Sequence, residues 1–251
     1  MYVKTYAVIG FPVAHSRSPE IYRELFGKHG IDADFLKLPV KAEQLSDIRS
    51  ICGELEGFAV TMPHKKAIMG YLDEITETAA ACGAVNIVER RGDTLIGHNT
   101  DGDGMADALN DAGFIFEGSH VMILGRGGAA KSAAYALERR GAHVTLLVRS
   151  LDASDEFDEE PFPISHLDEK RYCDLFVNAS PLGMENAEDF SDFDFLDVLA
   201  PQYVLDMVYR NDRSTSLICE AEKRGISFVE GRTMLLKQAL RAFRIWTGIE
   251  P

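Results

Sequence analysis

The chain is poor in every feature that would tie it to a membrane, a nucleic acid, a metal or a disulfide framework. Its four cysteines, Cys52, Cys82, Cys173 and Cys219, lie far apart and form no C-x-x-C pair. A stapled secreted scaffold and a zinc ribbon are both excluded by that spacing, and reduced core thiols in a cytoplasmic protein are expected. The seven histidines are equally scattered and outline no metal site. No apolar run approaches the roughly 20 residues of a membrane span. The apolar stretch within residues 1–10 is too short and too lightly charged for a signal peptide. Basic residues number 26 against 40 acidic ones, and the resulting net charge of −14 excludes nucleic acid or an anionic membrane as partners held by bulk charge. A small anionic ligand would need local basic groups. Repeats of solenoid length are missing, and the one biased segment, the acidic run 152–160, reads as a solvated loop.

What is present is an alternation of strand-like and helix-like segments, in a chain of 251 residues that is long enough for two ordinary domains. The chain is organised around one turn. Residues 121–124 are an apolar run that stops at Gly125-Arg126-Gly127-Gly128-Ala129-Ala130 and continues as a helix through 132–140, with a second strand at 143–148. Gly125, Gly127 and Ala130 have the G-x-G-x-x-A spacing that brings backbone close to a pyrophosphate at a helix N-terminus. A strand before it and a βαβ return after it give that short motif the context it needs.

Ahead of this turn, residues 6–10 read as a buried strand, followed by a loop with Ser16 and Ser18 and a helix over 20–29. Ser18 either caps that helix, with Pro19 at its first position, or joins Ser16 in taking a carboxylate. A strand over 35–40 and a helix over 42–52 follow. A strand over 57–62 then puts Thr61 and Lys65 at its C-terminal end, where open α/β sheets hold ligands, and Pro63 suits the first turn of a helix. Residues 84–89 and 94–98 form a hairpin about Arg91-Gly92-Asp93. Asn86 is polar among apolar neighbours, and Asp101 is either a ligand group or the N-cap of a helix over 104–111. The Asp-x-Asp-Gly string there lacks the terminal glutamate of a calcium loop, so no metal is expected.

Taken together, His15-Ser16-Arg17-Ser18-Pro19, Val60-Thr61-Met62-Pro63-His64-Lys65, Gly83-Ala84-Val85-Asn86 and Asn99-Thr100-Asp101-Gly102 resemble, in order and spacing, the shikimate dehydrogenase family. Asn178-Ala179-Ser180-Pro181-Leu182-Gly183-Met184, Asp206-Met207-Val208-Tyr209 and the stretch from Gly231 to Gln238 extend the resemblance over nearly the whole chain. It implies a two-domain α/β fold. Residues 1–101, completed by a C-terminal helix within 232–251, form the substrate domain. Residues 102–231 form a Rossmann-like, doubly wound nucleotide domain, with the active site in the cleft between the two. It also implies an enzyme, an oxidoreductase of chorismate and aromatic amino acid biosynthesis that reversibly reduces 3-dehydroshikimate to shikimate with NADPH. Lys65 and Asp101 would be catalytic. Ser16, Ser18, Thr61, Asn86, Tyr209 and Gln238 would bind substrate, and Gly125, Arg126, Gly127, Gly128, Ala129, Arg149, Ser150, Asn178, Ser180, Met207 and Gly231 would bind NADP.

Several positions depart from the family's usual pattern. Ala59 stands for an asparagine and Ile87 for a threonine, which loosens the expected grip on substrate. Arg149 matches the arginine that takes the 2′-phosphate, but Val148 and Ala153 replace a polar and a basic neighbour. NADP preferred less strongly than usual, with some use of NAD, is the expectation. A quinate/shikimate dehydrogenase of relaxed cofactor use is the enzymatic alternative, and a ligand-sensing relative without catalysis is the other. No stripe marks an interface, leaving monomer or homodimer.

Overall fold

Seven residues, Lys4–Gly10, open the chain as strand β1, with the successive side chains Tyr6, Ala7, Val8 and Ile9 all buried. A strand buried on both faces needs cover on both, which predicts helices on either side of it. The computed structural model describes residues 3–148, 162–163 and 172–251. Arg149, Ser150, Ala153 and the acidic run 152–160 lie outside the described residues. The chain divides into two compact units, Met1–Asp101 with Gln238–Pro251, and Gly102–Lys237.

In the first unit β1 pairs in parallel with β2 (Ala33–Pro39) and β3 (Gly57–Val60). Strand β5 (Ile87–Arg91) runs antiparallel to β3, and β6 (Thr94–His98) antiparallel to β5, with the short β4 (Glu74–Ile75) at the edge. The order is β2-β1-β3-β5-β6-β4. One face is covered by helix α1 (Ser18–Lys28) and the end of α8 (Gly231–Thr247), where Tyr6, Tyr22, Phe26, Phe35 and Phe243 pack together. Ala7, Ile9, Leu45, Ile48 and Val60 form the core on the other face, with Ala79 of helix α3 (Glu77–Cys82). Trp246 lies so close to Gly57 that a Cβ there would fall 2.4 Å from its indole nitrogen, which donates to the Val88 carbonyl at 3.0 Å. Glycine at 57 is what lets α8 settle on the sheet.

The second unit carries a sheet in which every recorded pairing is parallel, in the order β12-β11-β10-β7-β8-β9. Its strands are β7 (His120–Leu124), β8 (His143–Val148), β9 (Phe162–Pro163), β10 (Leu175–Asn178), β11 (Tyr203–Asp206) and β12 (Ser227–Glu230). Helices α4 (Asp101–Asp111) and α5 (Gly128–Glu138) cover one face. Helices α6 (Asp194–Leu199) and α7 (Ser216–Lys223) cover the other. The strand order leaves β7 in opposite directions toward β8 and toward β10, which creates a topological switch point between β7 and β10. This is the two-unit α/β architecture, with a doubly wound second sheet, that the motifs imply.

Four local expectations are corrected. Residues 42–52 are not one helix but a 3₁₀ segment, Ala42–Asp47, and the short α2, Ile48–Ile51. Leu45 and Ile48 are three apart and both buried, and three residues per turn aims both at the core. No helix starts at Pro63. The Met62–Pro63 peptide is cis, and His64 closes a turn onto the Thr61 carbonyl while its ring nitrogen Nε2 donates to the Val40 carbonyl at 2.6 Å. Ser18 is not a cap: α1 begins at Ser18 itself, with Arg17 before it and no capping side chain. Cys52, Cys82 and Cys173 are buried and form no disulfide, as expected, but Cys219 is exposed, since α7 turns that position outward.

Candidate active site

In the first unit the C-terminal end of β3, the approach to β5 and the segment that links β6 to α4 bring together a set of polar side chains that apolar packing alone would not tolerate. Asn86, Asn99, Thr100, Asp101 and Gln238 are all buried, so each must be hydrogen-bonded. The Asn86 amide nitrogen donates to Asp101 Oδ1 at 2.8 Å, Thr100 Oγ1 at 3.0 Å and Gln238 Oε1 at 3.2 Å. Its oxygen accepts from the Thr100 backbone at 2.8 Å, and Thr100 Oγ1 donates to Gln238 Oε1 at 3.3 Å. Asn99 fixes the strand exit by donating to the Ala84 carbonyl at 2.9 Å and accepting from the Asp101 N–H at 3.1 Å.

Lys65 completes the network. Its ammonium lies 2.5 Å from Asp101 Oδ2, with side-chain exposures of 28% and 11% for the two partners. Asp101 therefore spends its oxygens on Lys65 and Asn86 and caps no helix. A lysine held this way presents its remaining protons in a fixed direction, with its charge balanced at close range. The Lys65 carbonyl accepts from Val85 N–H at 2.8 Å, so the loop bearing the ammonium is tied to the strand bearing Asn86. Ser16 Oγ donates to Ser18 Oγ at 3.2 Å and accepts from the Ser18 N–H at 3.3 Å, which places both hydroxyls at the start of α1. Thr61 is half-buried at the end of β3, its methyl 2.4 Å from where a Cβ on Gly10 would fall.

In the second unit the glycine turn sits at the switch point. Gly125 has φ of +134°, and a Cβ there would fall 2.7 Å from the Ala179 carbonyl oxygen, so glycine is compelled by its own protein. Gly127 differs: among the described residues a Cβ there would meet nothing within 4 Å. Gly127 precedes the first turn of α5 and no side chain caps it, so the first amides of α5 have no capping acceptor, as a helix start that takes an anion requires. These residues fit a dinucleotide pyrophosphate.

The residues 8–88 match the family model for the shikimate dehydrogenase substrate binding domain. Over 97% of its length the chain is 37% identical to shikimate dehydrogenase (NADP(+)) of Geobacter metallireducens, covering 91% of that protein. The chain belongs to the shikimate dehydrogenase family. Two solved members share its fold. Shikimate 5-dehydrogenase of Listeria monocytogenes, in complex with shikimate and NAD, is 30% identical with a TM-score of 0.86, over 99% of this chain and 93% of that one. The Thermus thermophilus enzyme, in complex with NADP(H) and shikimate, is 30% identical with a TM-score of 0.85, over 99% of this chain and 95% of that one.

Within this shikimate dehydrogenase fold, Lys65, Asn86, Asp101 and Gln238 meet in one network of the first unit, with Ser16, Ser18 and Thr61 on the same unit. Tyr209, Gly125, Arg126, Gly127, Gly128, Ala129, Asn178, Ser180, Met207 and Gly231 belong to the second. The Asn178 side chain is committed inside the protein, donating to Leu182 O and Asp206 Oδ1 at 3.0 and 2.9 Å and accepting from Ser180 Oγ at 2.7 Å. It shapes the loop after β10. Met207 N–H donates to the Asn178 carbonyl at 2.9 Å, and a Cβ on Gly231 would fall 2.8 Å from the Met207 carbonyl oxygen.

Two groups in these networks carry no signal of their own in the sequence. Thr100 stands between two conspicuous residues, and only the fold shows it bridging Asn86 and Gln238. Asp206 is the other. Fully buried, it accepts from Thr215 Oγ1 at 2.5 Å, Asn178 Nδ2 at 2.9 Å and Val208 N–H at 3.0 Å. Burial nevertheless pushes its pKa up from 3.8 to about 6. An acid whose pKa is raised on folding stabilises the native state below its unfolded pKa, and this contribution is lost as pH rises through the folded value. Asp206→Asn, isosteric with the protonated acid, is thus expected to match wild type near pH 4. By about pH 7.5 it should be more stable by roughly 2–3 kcal/mol, at 1.36 kcal/mol per pKa unit. Urea titrations of both proteins at the two pH values check this, and a difference that does not change with pH would show that Asp206 does not titrate in that window.

Proposed function

We propose that the protein is an NADP-dependent shikimate dehydrogenase, with substrate held by the first unit and nucleotide by the second. The observation that carries this is the Lys65–Asp101 pair set in the Asn86–Thr100–Gln238 network, in a family whose solved members hold shikimate. NADPH supplies the hydride that reduces the C=O carbon of 3-dehydroshikimate, and NADP accepts it back in the reverse direction.

The chain's own residues do the rest. As the carbonyl becomes an alkoxide, negative charge grows on its oxygen, and the Lys65 ammonium both stabilises that charge and delivers a proton from Nζ. Asp101 keeps the ammonium in place and accepts from a substrate hydroxyl. Asn86, Thr61 and Gln238 fix the ring by hydrogen bonds to its other hydroxyls, so the reacting carbon is presented in one orientation. Ser16 and Ser18 donate to the substrate carboxylate at the positive end of α1, and Tyr209 supports the same carboxylate. Backbone amides from Gly127 to Ala130 hold the pyrophosphate, with Arg126 beside them. By the family resemblance, Arg149 would pair with the 2′-phosphate and Ser150 would add a hydroxyl to it. Asn178, Ser180, Met207 and Gly231 build the loops that carry the nicotinamide end. The protein works in the cytoplasm.

Ala59 and Ile87 are buried in an apolar cluster and offer the ring no polar group, which favours a second reading of broader substrate use. Initial rates at the nicotinamide absorbance band, with shikimate and quinate each offered with NADP and NAD, separate the readings. Shikimate with NADP is expected to lead. Comparable rates with quinate or NAD would establish the broader enzyme, and folded protein that binds NADP but turns over neither acid would refute both.

A further inference from the structure

Tyr22 stands in the middle of α1, one turn after Ser18, so the two side chains share the face that the helix buries. Its ring is fully enclosed, stacked on Phe35 at 4.5 Å between centroids and flanked by Phe26 and Trp246. Such a ring is ordinary core, but its hydroxyl is not. The oxygen is sealed from solvent and has no hydrogen-bond partner among the described residues. Phenylalanine would fill nearly the same volume without burying an unsatisfied polar group.

The cluster that holds the Tyr22 ring is built from the elements that carry the proposed substrate groups. Tyr22 packs in one cluster with Ala59, Ile87 and Ala239. Ile87 directly follows Asn86, Ala239 directly follows Gln238, and Ala59 lies two residues before Thr61. The segments bearing Ser18, Thr61, Asn86 and Gln238 thus each adjoin a residue of the cluster that holds Tyr22. Burial, and after it the nearby Asp101 charge, push the phenol's ionisation upward, so it stays protonated and can both donate and accept. The cluster's aliphatic side chains offer it nothing, and solvent does not reach it. A polyhydroxylated ring entering against Asp101 would supply the missing partner once the side chains over the hydroxyl shift to admit it.

We propose that Tyr22 is a further substrate-binding and specificity-determining residue, its hydroxyl forming a hydrogen bond to an oxygen on the bound ring. This inference rests on the reading of the protein as a shikimate dehydrogenase. Tyr22→Phe tests it by steady-state kinetics on shikimate, together with thermal unfolding with and without shikimate. The KM is expected to rise about five- to tenfold, as loss of one neutral hydrogen bond requires, while kcat stays within about twofold. The Tm without ligand should equal or exceed that of wild type, because an unsatisfied hydroxyl has been removed, and the stabilisation by shikimate should shrink. An unchanged KM, whatever the Tm, overturns the assignment, as does a loss confined to kcat, which would place the hydroxyl's effect on Asp101 instead. If wild-type protein neither turns over shikimate nor is stabilised by it, the functional reading itself fails. If wild type does both and the variant equals it, only Tyr22 is wrongly assigned.

Discussion

Lys65→Ala is expected to lower kcat for shikimate oxidation by roughly 10²- to 10⁴-fold, the range that a positioned acid or base contributes. The expectation comes from geometry. The ammonium is held 2.5 Å from Asp101 at the end of a loop pinned to β5's neighbour Val85, so no other cation of the network can take its place. Asp101 is itself largely buried, and among the described residues removing Lys65 leaves Asn86 as the side-chain donor to its carboxylate. Some loss of stability will accompany the loss of activity, so Lys65→Met, which keeps the aliphatic stem, is the better control for packing. Lys65→Arg keeps the charge but replaces a compact proton donor with a planar group that does not deprotonate, and it should rescue little. The measurement is single-turnover hydride transfer at saturating shikimate and NADP, beside thermal unfolding. Folded Lys65 variants with wild-type turnover would remove this residue from the chemistry.

The second large effect is at the glycine turn, where two neighbouring glycines should behave differently. Gly125→Ala puts a side chain into a backbone held at φ of +134° and 2.7 Å from the Ala179 carbonyl oxygen. Conformational strain of about 1–3 kcal/mol and a displaced strand end are both expected, so stability and NADP affinity fall together. Gly127→Ala meets no atom of the described residues within 4 Å and has φ of −79°, which alanine adopts freely. Its stability should be that of wild type, and only NADP binding should weaken, because the new methyl occupies the approach to the first turn of α5. Thermal unfolding without ligand, paired with calorimetric titration of NADP, distinguishes the two. Gly127→Ala binding NADP as tightly as wild type would mean that the pyrophosphate does not approach this turn.

Much of this was legible from local pattern. The strand 143–148 and the second strand of the hairpin, 94–98, have the bounds their β-rich composition gives them. The Gly125 turn follows a strand and opens a helix as its spacing requires. Local pattern failed where a distant contact overrode it. Residues 42–52 have helical composition, but the core takes Leu45 and Ile48 through a tighter winding. Pro63 suits a helix start, yet the bonds that hold His64 and Lys65 come from Val40 and Val85. The network itself joins Asn86 to Gln238 across 152 positions, a relation that spacing cannot express. Gln238 is legible only through the family resemblance. Asp206 has no visible role in the sequence, because its partners Asn178 and Thr215 lie 28 and 9 positions away.

The first unit is assembled from both ends of the chain, and this sets an order of events during synthesis. Met1–Asp101 leaves the ribosome first, but Gln238, Phe243 and Trp246 follow only after all of Gly102–Lys237 has been made. Until then Asn86 and Thr100 lack their glutamine, and the aromatic cluster of Tyr22, Phe26 and Phe35 lacks its lid. The second unit can therefore fold while the first is still waiting for the end of α8, and a chain cut short after Lys237 would retain the glycine turn while losing Gln238 from the Asn86–Thr100 network.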